Sequence, residues 1–337
     1  DFAAQCLREG KLVAFPTETV YGLGGNAFDA TASARIYEAK GRPSDNPLIV
    51  HIAETEALAE LAAEVPAAAY RLAEAFWPGP LTMILKKSDK VPKTTTGGLD
   101  TVAIRMPSHP AALALIQSSN VFVAAPSANT SGRPSPTAAE HVIEDLAGKV
   151  DMIVDGGSVD IGVESTILDM TVEPPMILRP GAITKEMLTE LIGEVSELIG
   201  EVAEDRTMLT ITDAAPKAPG MKYRHYAPKG ELSIVEGPMA LVIEAINRMA
   251  GQKISKGYKV GIIGTEETVG RYRQGIIKSV GTREDEATIA NHLYGILREF
   301  DADEVDYIYS ESFATGGIGN AIMNRLLKAA GHHVIHV

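Results

Sequence analysis

The sequence predicts an α/β protein in two parts. The first is a twisted mixed sheet with flanking helices over residues 1–200, and the second is a small Rossmann-like domain with a parallel sheet over residues 231–337. Two observations support this division. Short runs of Val, Ile and Leu alternate with amphipathic stretches in both parts, and a Pro- and Gly-rich linker, residues 201–230, separates them. A chain of 337 residues is long enough for two ordinary domains.

The first part contains many predicted strands, joined by Pro-rich connections of irregular length. This pattern favours a mixed sheet over a regular series of βαβ units. Strands are predicted over residues 11–15, 48–52, 81–86, 101–105, 121–125, 152–155, 165–169 and 176–179. Helices are predicted over residues 1–9, 31–39, 55–63, 66–75, 109–118, 136–147 and 184–198.

The second part alternates strands and helices more regularly, which is typical of a parallel sheet. Strands are predicted over residues 231–235, 259–263, 275–280, 306–310 and 333–337, and helices over residues 238–249, 284–299 and 318–330. The chain has no G-x-x-x-x-G-K-[ST] sequence, and the glycines at 316, 317 and 319 lack the G-x-G-x-x-G spacing. A dinucleotide site in this domain is therefore disfavoured.

Composition excludes several classes of protein. The net charge is -13, and most of the acidic excess lies in residues 1–200, so a protein that coats nucleic acid or anionic membranes is not expected. Cys6 is the single cysteine, which excludes an intrachain disulfide and a cysteine-based zinc site. No apolar run reaches 18 residues and no signal peptide is visible, so we expect no membrane span and a cytoplasmic location.

Four arginines of the first part stand one or two residues before a proline: Arg42, Arg105, Arg133 and Arg179. Proline restricts the backbone on both sides of the peptide bond. An arginine held on such a rigid segment loses less freedom when it binds a phosphate or a carboxylate. The pattern therefore indicates anion binding, although chance and surface ion pairs would produce the same spacing.

Two segments near the N-terminus have the composition of an anion pocket. Residues 15–25, FPTETVYGLGG, offer hydroxyls and backbone N–H groups beside glycines, although an ordinary strand–loop corner has the same composition. Residues 40–51, KGRPSDNPLIVH, place Lys40, Arg42 and Asn46 close together, and two cations with an amide suit a triphosphate. His51 ends this segment, where a core histidine is an equally good interpretation.

Two later segments add polar groups. The loop at 124–137 contains Ser127, Asn129 and Ser135, which could donate to phosphate or ribose oxygens or simply cap the following helix. Residues 162–181 contain Glu164 and Asp169, either of which could help to place a magnesium ion, although lone acids are usually solvated. The chain has no H-E-x-x-H motif and no Ser-His-Asp pattern, so zinc or covalent hydrolysis is not expected.

Six segments in this order resemble the threonylcarbamoyl-AMP synthase family in its two-domain form, whose first domain is YrdC-like. They are PTETVYGLG at 16–24, KGRPSDNPL at 40–48, SANTSG at 127–132, ESTILD at 164–169, LRPG at 178–181 and APGMKYRHYAP at 218–228. Any one of these segments alone would be weak evidence. Six in this order are strong evidence, and the resemblance covers essentially the whole chain.

The resemblance implies a nucleotidyltransferase that converts L-threonine, bicarbonate or CO2, and ATP into threonylcarbamoyl-AMP and pyrophosphate. Magnesium is expected to shield the pyrophosphate. A downstream tRNA-modifying transferase complex would then use the product to make N6-threonylcarbamoyladenosine in tRNA. Such an enzyme need not bind nucleic acid tightly, which agrees with the acidic charge.

The resemblance also assigns site residues by motif position. Lys40 and Arg42 are expected to be catalytic, by stabilising the charge that moves onto pyrophosphate, and no metal ligand is assigned. Arg105 is expected to pair with the threonine carboxylate. The expected L-threonine site consists of Thr19, His51, Arg105, Ala125 and Ser165. The expected ATP site consists of Arg42, Asn46, Thr101, Ser127, Asn129, Ser135, Arg179 and Tyr226.

The linker and the overall activity each leave alternatives open. Lys222, Tyr223, His225 and Tyr226 could close over the pocket as an active-site lid and exclude water, or the linker could be a plain tether between domains. The main alternative function is an RNA-binding or ribosome-associated module, against which stand the acidic charge and the single tryptophan, Trp77. A carbamoyl transferase acting on another substrate is a third possibility, ranked low.

Overall fold

The computed structural model describes residues 1–197, 216–219 and 225–337. These residues form a ten-stranded mixed sheet followed by a five-stranded sheet in which every pairing is parallel. The predicted fold class is therefore confirmed. Within the described residues, no helix is both long and apolar enough to cross a membrane.

The first sheet is built from short strands with helices between them. Its strands are β1 (Val13–Phe15), β2 (Gly22–Asn26), β3 (Ile49–His51), β4 (Leu81–Lys86), β5 (Thr101–Arg105), β6 (Val123–Ala125), β7 (Met152–Ile153), β8 (Thr166–Asp169), β9 (Met176–Arg179) and β10 (Ser196–Glu197). Its helices are α1 (Phe2–Arg8), α2 (Ala30–Lys40), α3 (Leu58–Leu61), α4 (Ala67–Phe76), α5 (Pro110–Ser119), α6 (Ala139–Leu146) and α7 (Lys185–Ile192).

Strand order places the carboxyl ends of β3 and β5 side by side. The order is β10-β9-β8-β4-β5-β3-β6-β2-β1-β7. β3 pairs in parallel with β5, and His51 stands opposite Arg105 in the register. β8 pairs in parallel with β4 on the other side of β5, so its start, just after Ser165, belongs to the same central region of the sheet.

Both faces of this sheet are covered. Val13 and Phe15 of β1 pack in a cluster with α1 and α5, whereas Ala14 between them packs in the cluster that contains α2, α3, α4 and α7 residues. Because successive strand residues point to opposite faces, the two clusters lie on opposite sides of the sheet. The sheet is thus the central layer of three.

The second sheet has the order β13-β12-β14-β11-β15. Its strands are β11 (Glu231–Glu236), β12 (Val260–Gly264), β13 (Ile276–Ser279), β14 (Tyr307–Glu311) and β15 (Val334–His336), and its helices are α8 (Met239–Ile254), α9 (Glu286–Ala302) and α10 (Gly319–Ala329). Helix α8 packs on one face, against Val235 and Ile262. Helices α9 and α10 pack on the other face, in a cluster that also contains Val20 and Val163 of the first part.

Three elements differ from the sequence prediction. The predicted loop around residue 22 contains strand β2, which the hydrophobic pattern missed because three of its five residues are glycines in close contact with their neighbours. A Cβ atom on Gly24 would lie 2.7 Å from Val123 Cγ1. The helix predicted over 184–198 ends at Ile192, and Ser196–Glu197 pairs with β9 as a strand. The helix predicted over 55–63 is a 3-10 turn at Thr55–Ala57 followed by the four-residue α3.

Candidate active site

A cavity at the centre of the first sheet collects residues from the first part and from the linker. Its lining includes eleven of the residues that the sequence assigned to the site: Lys40, Arg42, His51, Arg105, Ala125, Ser127, Asn129, Ser135, Ser165, Arg179 and Tyr226. Residues separated by more than 180 positions in the chain therefore meet in one place.

Lys40 is held at the end of α2, where Gly41 in the left-handed conformation (φ 60°) terminates the helix. Its ammonium group is buried and donates hydrogen bonds to the backbone oxygens of Ser127, at 2.5 Å, and of Asn129. Burial, and then the neighbouring charge of Arg42, lower the pKa of Lys40 well below its usual value. The lysine thus joins α2 to the loop after β6.

Arg42 is oriented by the segment that follows it. Its Nη2 donates to Asn46 Oδ1 at 2.7 Å and to the Pro47 oxygen at 3.1 Å, and its Nε donates to the Asn46 oxygen at 3.2 Å. Burial lowers the pKa of Arg42 to about 10, so the guanidinium remains charged at neutral pH. Asn46 is not among the lining residues of the cavity, and it acts on the cavity by fixing Arg42.

Arg105 is paired with a carboxylate that the sequence analysis did not assign. Its Nη2 lies 2.7 Å from Glu18 Oε1, and both side chains are almost fully buried. Burial opposes ionisation of Glu18, but the charge and the hydrogen bond of Arg105 outweigh it, so the pKa of Glu18 is lowered. The arginine expected to bind a carboxylate therefore already faces one.

His51 is buried next to Arg105. Its Nδ1 donates to the Ile49 oxygen at 3.1 Å, and its ring makes an edge contact with Phe15. Burial, followed by repulsion from Arg105, lowers the pKa of His51 to about 3. The imidazole is therefore neutral at neutral pH.

The loop after β6 is fixed by its own side chains. Ser127 Oγ donates to Asn129 Oδ1 at 2.5 Å, and Asn129 Nδ2 donates to the oxygens of Thr130 and Arg133 at 2.8 and 3.0 Å. Arg133 also lines the cavity, but its guanidinium pairs with Asp145 and Glu144. Arg133 is therefore largely neutralised.

Arg179 connects β9 to the start of β8. Its Nε and Nη2 donate to the oxygen and the Oγ of Ser165, at 3.1 and 3.2 Å. Ser165 Oγ also lies 2.8 Å from Thr82 Oγ1 on β4. Nη1 of Arg179 reaches the oxygen of Pro219 in the linker at 3.5 Å. Burial lowers the pKa of Arg179.

Two linker side chains enter the cavity. His225 and Tyr226 both line it, together with Pro219. Burial, followed by the charge of Arg42, lowers the pKa of His225 to about 3, whereas burial raises the pKa of Tyr226. Tyr226 adopts a positive φ of 64°, and its ring lies 5.2 Å from that of Tyr294 on α9. Lys222 and Tyr223, the other two residues of the predicted lid, lie outside the described residues.

Two further assigned residues, besides Asn46, are not among the residues that line the cavity. Thr19 is fully buried, and its Oγ1 lies 2.9 Å from Oγ1 of Thr17, which does line the cavity. Thr101 begins strand β5 and Arg105 ends it, so the two are separated by about 13 Å of extended chain. The contacts expected of Thr19 and Thr101 with substrates stay predictions.

Comparison with known proteins places the chain in a family. Residues 5–181 match the family of Sua5, YciO and YrdC, described as "Telomere recombination". Residues 183–331 match the family described as "Threonylcarbamoyl-AMP synthase, C-terminal domain". The chain belongs to the two-domain threonylcarbamoyl-AMP synthase family. The resemblance found in the sequence motifs is confirmed.

Full-length relatives support this membership. The threonylcarbamoyl-AMP synthase of Pyrococcus abyssi is 51% identical over 335 residues, which cover 99% of this chain and 95% of that protein. The Bacillus subtilis threonylcarbamoyl-AMP synthase is 51% identical over 334 residues, 99% of this chain and 93% of its own. The crystal structure of P. abyssi Sua5 complexed with L-threonine matches with a TM-score of 0.92 at 49% identity, covering 100% of this chain and 95% of that one.

In this member of the threonylcarbamoyl-AMP synthase family, the cavity has lining residues that the sequence analysis did not assign to substrates. They are Thr17, Val20, Tyr21, Gly22, Ile49, Pro126, Ser131, Gly132, Arg133, Glu164, Pro219 and His225. Most lie within the six motif segments or next to them. The motif segments therefore indicate more of the cavity lining than the individually assigned residues do. Glu18 lies in the first motif segment, between Thr17 and Thr19. This position is the sequence signal from which Glu18 could have been assigned to the site.

Proposed function

We propose that this cavity binds ATP and L-threonine side by side and joins them, with bicarbonate or CO2, into threonylcarbamoyl-AMP and pyrophosphate. One observation supports this proposal above the others: three buried cations, Lys40, Arg42 and Arg179, make their hydrogen bonds to neutral oxygens. Buried cations whose hydrogen bonds go to neutral oxygens rather than to carboxylates favour a polyanionic ligand. Because the chain belongs to the threonylcarbamoyl-AMP synthase family, we infer that this polyanionic ligand is ATP.

The reaction needs no covalent intermediate on the protein. The threonine amine adds to CO2 and gives up a proton to water, and an oxygen of the resulting carbamate attacks the α-phosphorus in line. The bond from the α-phosphorus to the bridging oxygen breaks, and pyrophosphate leaves with that electron pair. Such a reaction is accelerated mainly by positioning and by charge stabilisation, which rigidly held arginines and a lysine supply.

The threonine side of the site would be formed by Thr19, His51, Arg105, Ala125 and Ser165. Arg105 is the natural partner of the threonine carboxylate, because a guanidinium can bind a carboxylate through two nitrogens. Neutral His51 adds a polar ring without adding a second positive charge. Ser165, held by Thr82 and Arg179, stands where the threonine and ATP sides meet.

The ATP side would be formed by Arg42, Asn46, Thr101, Ser127, Asn129, Ser135, Arg179 and Tyr226. We assign Lys40 and Arg42 to the charge that moves onto pyrophosphate. Lys40 is tied to the loop that carries Ser127 and Asn129, so this loop and the cation are placed as one unit. Asn46 would act through Arg42.

The carboxylates near the cavity are a poor fit for a resident magnesium ion. Glu164 accepts hydrogen bonds from Ser135, Tyr294 and Arg325, and Asp169 lies at the far end of β8 beside Thr171 and Lys217. Among the described residues, no group of three or more His, Cys, Asp or Glu side chains could hold a metal. We propose that magnesium enters with the phosphates of ATP, as part of the substrate.

We propose the same three functional regions of the chain that the sequence predicts. Residues 1–200 form the catalytic domain, residues 201–230 a linker that acts as a lid, and residues 231–337 the Rossmann-like C-terminal domain. The positions of Pro219, His225 and Tyr226 in the cavity wall support the lid. A cytoplasmic location and transfer of the adenylate to a downstream tRNA-modifying transferase complex complete the proposal.

Pyrophosphate release tests this function directly. Purified protein is given magnesium and ATP, and threonine and bicarbonate are each supplied or omitted. We expect release only when both are present, and much less release when serine replaces threonine at the same concentration. Release without threonine would point to a different acceptor. Bound ATP with no release in any mixture would favour the RNA-binding alternative, which salt-dependent RNA binding would then have to support.

A further inference from the structure

The C-terminal domain places one arginine directly behind the active-site cavity. Arg325 on α10 is completely buried, and its Nε donates to Glu164 Oε2 at 2.9 Å. The two residues are 161 positions apart and belong to different domains. Glu164 lines the cavity, whereas Arg325 does not.

The guanidinium of Arg325 holds two cavity segments at once. Its Nη2 donates to the backbone oxygen of Glu164 at 3.2 Å, and its Nη1 donates to the backbone oxygen of Pro180 at 2.7 Å. Glu164 immediately precedes Ser165, and Pro180 immediately follows Arg179. Arg325 thus holds the residue next to Ser165, on the threonine side, and the residue next to Arg179, on the ATP side.

The carboxylate of Glu164 extends this contact to other groups. Ser135 Oγ donates to Oε1 at 2.5 Å, and the Tyr294 hydroxyl donates to Oε1 and Oε2 at 3.2 and 3.0 Å. Burial opposes ionisation of Glu164, but the charges of Arg325 and Arg179 outweigh it and lower its pKa to about 2. Glu164 is therefore a permanent carboxylate, which can only accept these hydrogen bonds.

The same two C-terminal residues contact the linker. The ring of Tyr226 lies 5.2 Å from that of Tyr294, and the guanidinium carbon of Arg325 lies 6.0 Å from the centre of the Tyr226 ring. Tyr226 takes a left-handed backbone conformation that is unfavourable for a tyrosine, so the surrounding contacts must stabilise it. Arg325 and Tyr294 supply part of that support.

We propose that Arg325, assisted by Tyr294, is a positioning residue for adenylate formation, and that the C-terminal domain completes the active site through it. The inference rests on the proposed function. Arg325 would act through Glu164 and Pro180 on Ser165, Arg179 and Ser135, without touching substrate. The C-terminal domain then contributes to catalysis by positioning residues of the active site.

Four variants and one control test this role. Arg325→Lys keeps the positive charge but loses the planar guanidinium, which donates to several oxygens at once. Arg325→Met removes both the charge and the donors. Tyr294→Phe removes only the hydroxyl that binds Glu164. The double variant Glu164→Gln with Arg325→Met removes both buried charges together. Asn291→Ala is the control, because Asn291 Nδ2 joins the domains by donating to the oxygens of Val159 and Asp160 outside the cavity lining.

The measurements are the melting temperature, kcat, and KM for ATP and for threonine, with the ATP dissociation constant measured separately by calorimetry. We expect Arg325→Lys and the double variant to lower kcat/KM about 100-fold, the loss typical of a misplacement near 1 Å. KM for both substrates should rise, because segments on both sides of the site lose their anchor. Tyr294→Phe should show a smaller loss in the same direction, and Asn291→Ala should leave both KM values unchanged.

The double variant separates positioning from simple charge neutralisation. It should melt at a higher temperature than Arg325→Met, since no unpaired charge stays buried, yet its rate should remain low. If the double variant recovers the wild-type rate together with its stability, the proposal is wrong. It is also wrong if Arg325→Lys keeps the wild-type KM and ATP affinity. A wild-type protein that releases no pyrophosphate would refute the proposed function instead, and the ATP affinities would still test the role of Arg325.

Discussion

Arg105 and Glu18 form a buried ion pair, with 2.7 Å between Nη2 and Oε1. Arg105 lines the cavity proposed for threonine, and Glu18 lies behind it, outside the lining. Glu18 Oε2 has no hydrogen-bond partner among the described residues. A substrate carboxylate that binds Arg105 therefore meets a guanidinium that is already bonded to a carboxylate. The arginine must be shared between the two, or Glu18 must turn away.

This pair makes a prediction for Glu18→Gln. Threonine would become the sole carboxylate partner of Arg105, so the threonine-dependent rise in melting temperature should be larger than in the wild type. Without ligand, the variant should be less stable by about 3–5 kcal/mol, because a buried charge loses its partner. Thermal melting with and without threonine checks both effects. A smaller threonine-dependent rise than in the wild type would show that Glu18 helps to bind the substrate.

Arg42→Ala should abolish most of the activity. Arg42 is assigned to the charge that develops on pyrophosphate, and removal of one such group costs about 100- to 1,000-fold in kcat. Asn46→Ala should cost less, about 10-fold, because Arg42 keeps its bonds to backbone oxygens. Steady-state pyrophosphate release measures both.

The matched control for Arg42 is Arg35→Ala. Arg35 also comes from the region of α2, but it is partly exposed and pairs with Asp151 outside the cavity lining. We expect its kcat to remain within about twofold of the wild type, since an exposed ion pair contributes at most about 1 kcal/mol to stability. Unchanged turnover in Arg42→Ala would contradict the catalytic assignment.

Whether a feature of the structure could be predicted depends on the signal that it leaves in the sequence. Strands made mostly of apolar residues, such as β4 and β5, were predicted because their composition marks them locally. The site segments around Lys40 and Ser165 were predicted because motifs mark them. Strand β2 was missed because close backbone packing selects glycine there, and glycine also marks turns.

The contacts between domains left no local signal. Arg325 stands in an ordinary amphipathic helix, and its partners Glu164 and Pro180 are 161 and 145 positions away. Sequence periodicity identifies α10 as a helix with a buried face, but it cannot say which distant carboxylate that face will meet. Glu18 was obscure for the same reason, because its pairing with Arg105 depends on how β5 is placed in the sheet.

His51 should make the protein sensitive to acid. Its pKa is about 3 in the folded protein and near 6.5 when unfolded, so between these values the unfolded state binds more protons. Stability should fall as the pH falls through this window, by at most about 1.4 kcal/mol per pH unit from this residue. His141 and His225, with pKa values of about 4 and 3, add to the effect in the same direction.

His51→Gln should therefore reduce, without abolishing, the loss of stability between pH 7 and pH 5. Urea unfolding at the two pH values measures the change. His336→Gln is the control, because the side chain of His336 is 75% exposed and lies outside the cavity lining. An acid dependence that is identical in the His51 variant and in the wild type would show that His51 binds protons equally in the folded and unfolded states.

Tyr226 provides the test of the proposed lid. If its ring closes the cavity and excludes water, Tyr226→Ala should shorten the lifetime of threonylcarbamoyl-AMP on the protein more than it lowers pyrophosphate release. Tyr226→Phe keeps the ring against Tyr294 and should behave nearly like the wild type. The ratio of intact adenylate to pyrophosphate, followed over time, separates leakage from slower chemistry. Tyr70→Ala, at a 45% exposed surface position, controls for loss of a tyrosine ring elsewhere. If Tyr226→Ala preserves the wild-type ratio, the linker is a tether and the adenylate is protected by other groups.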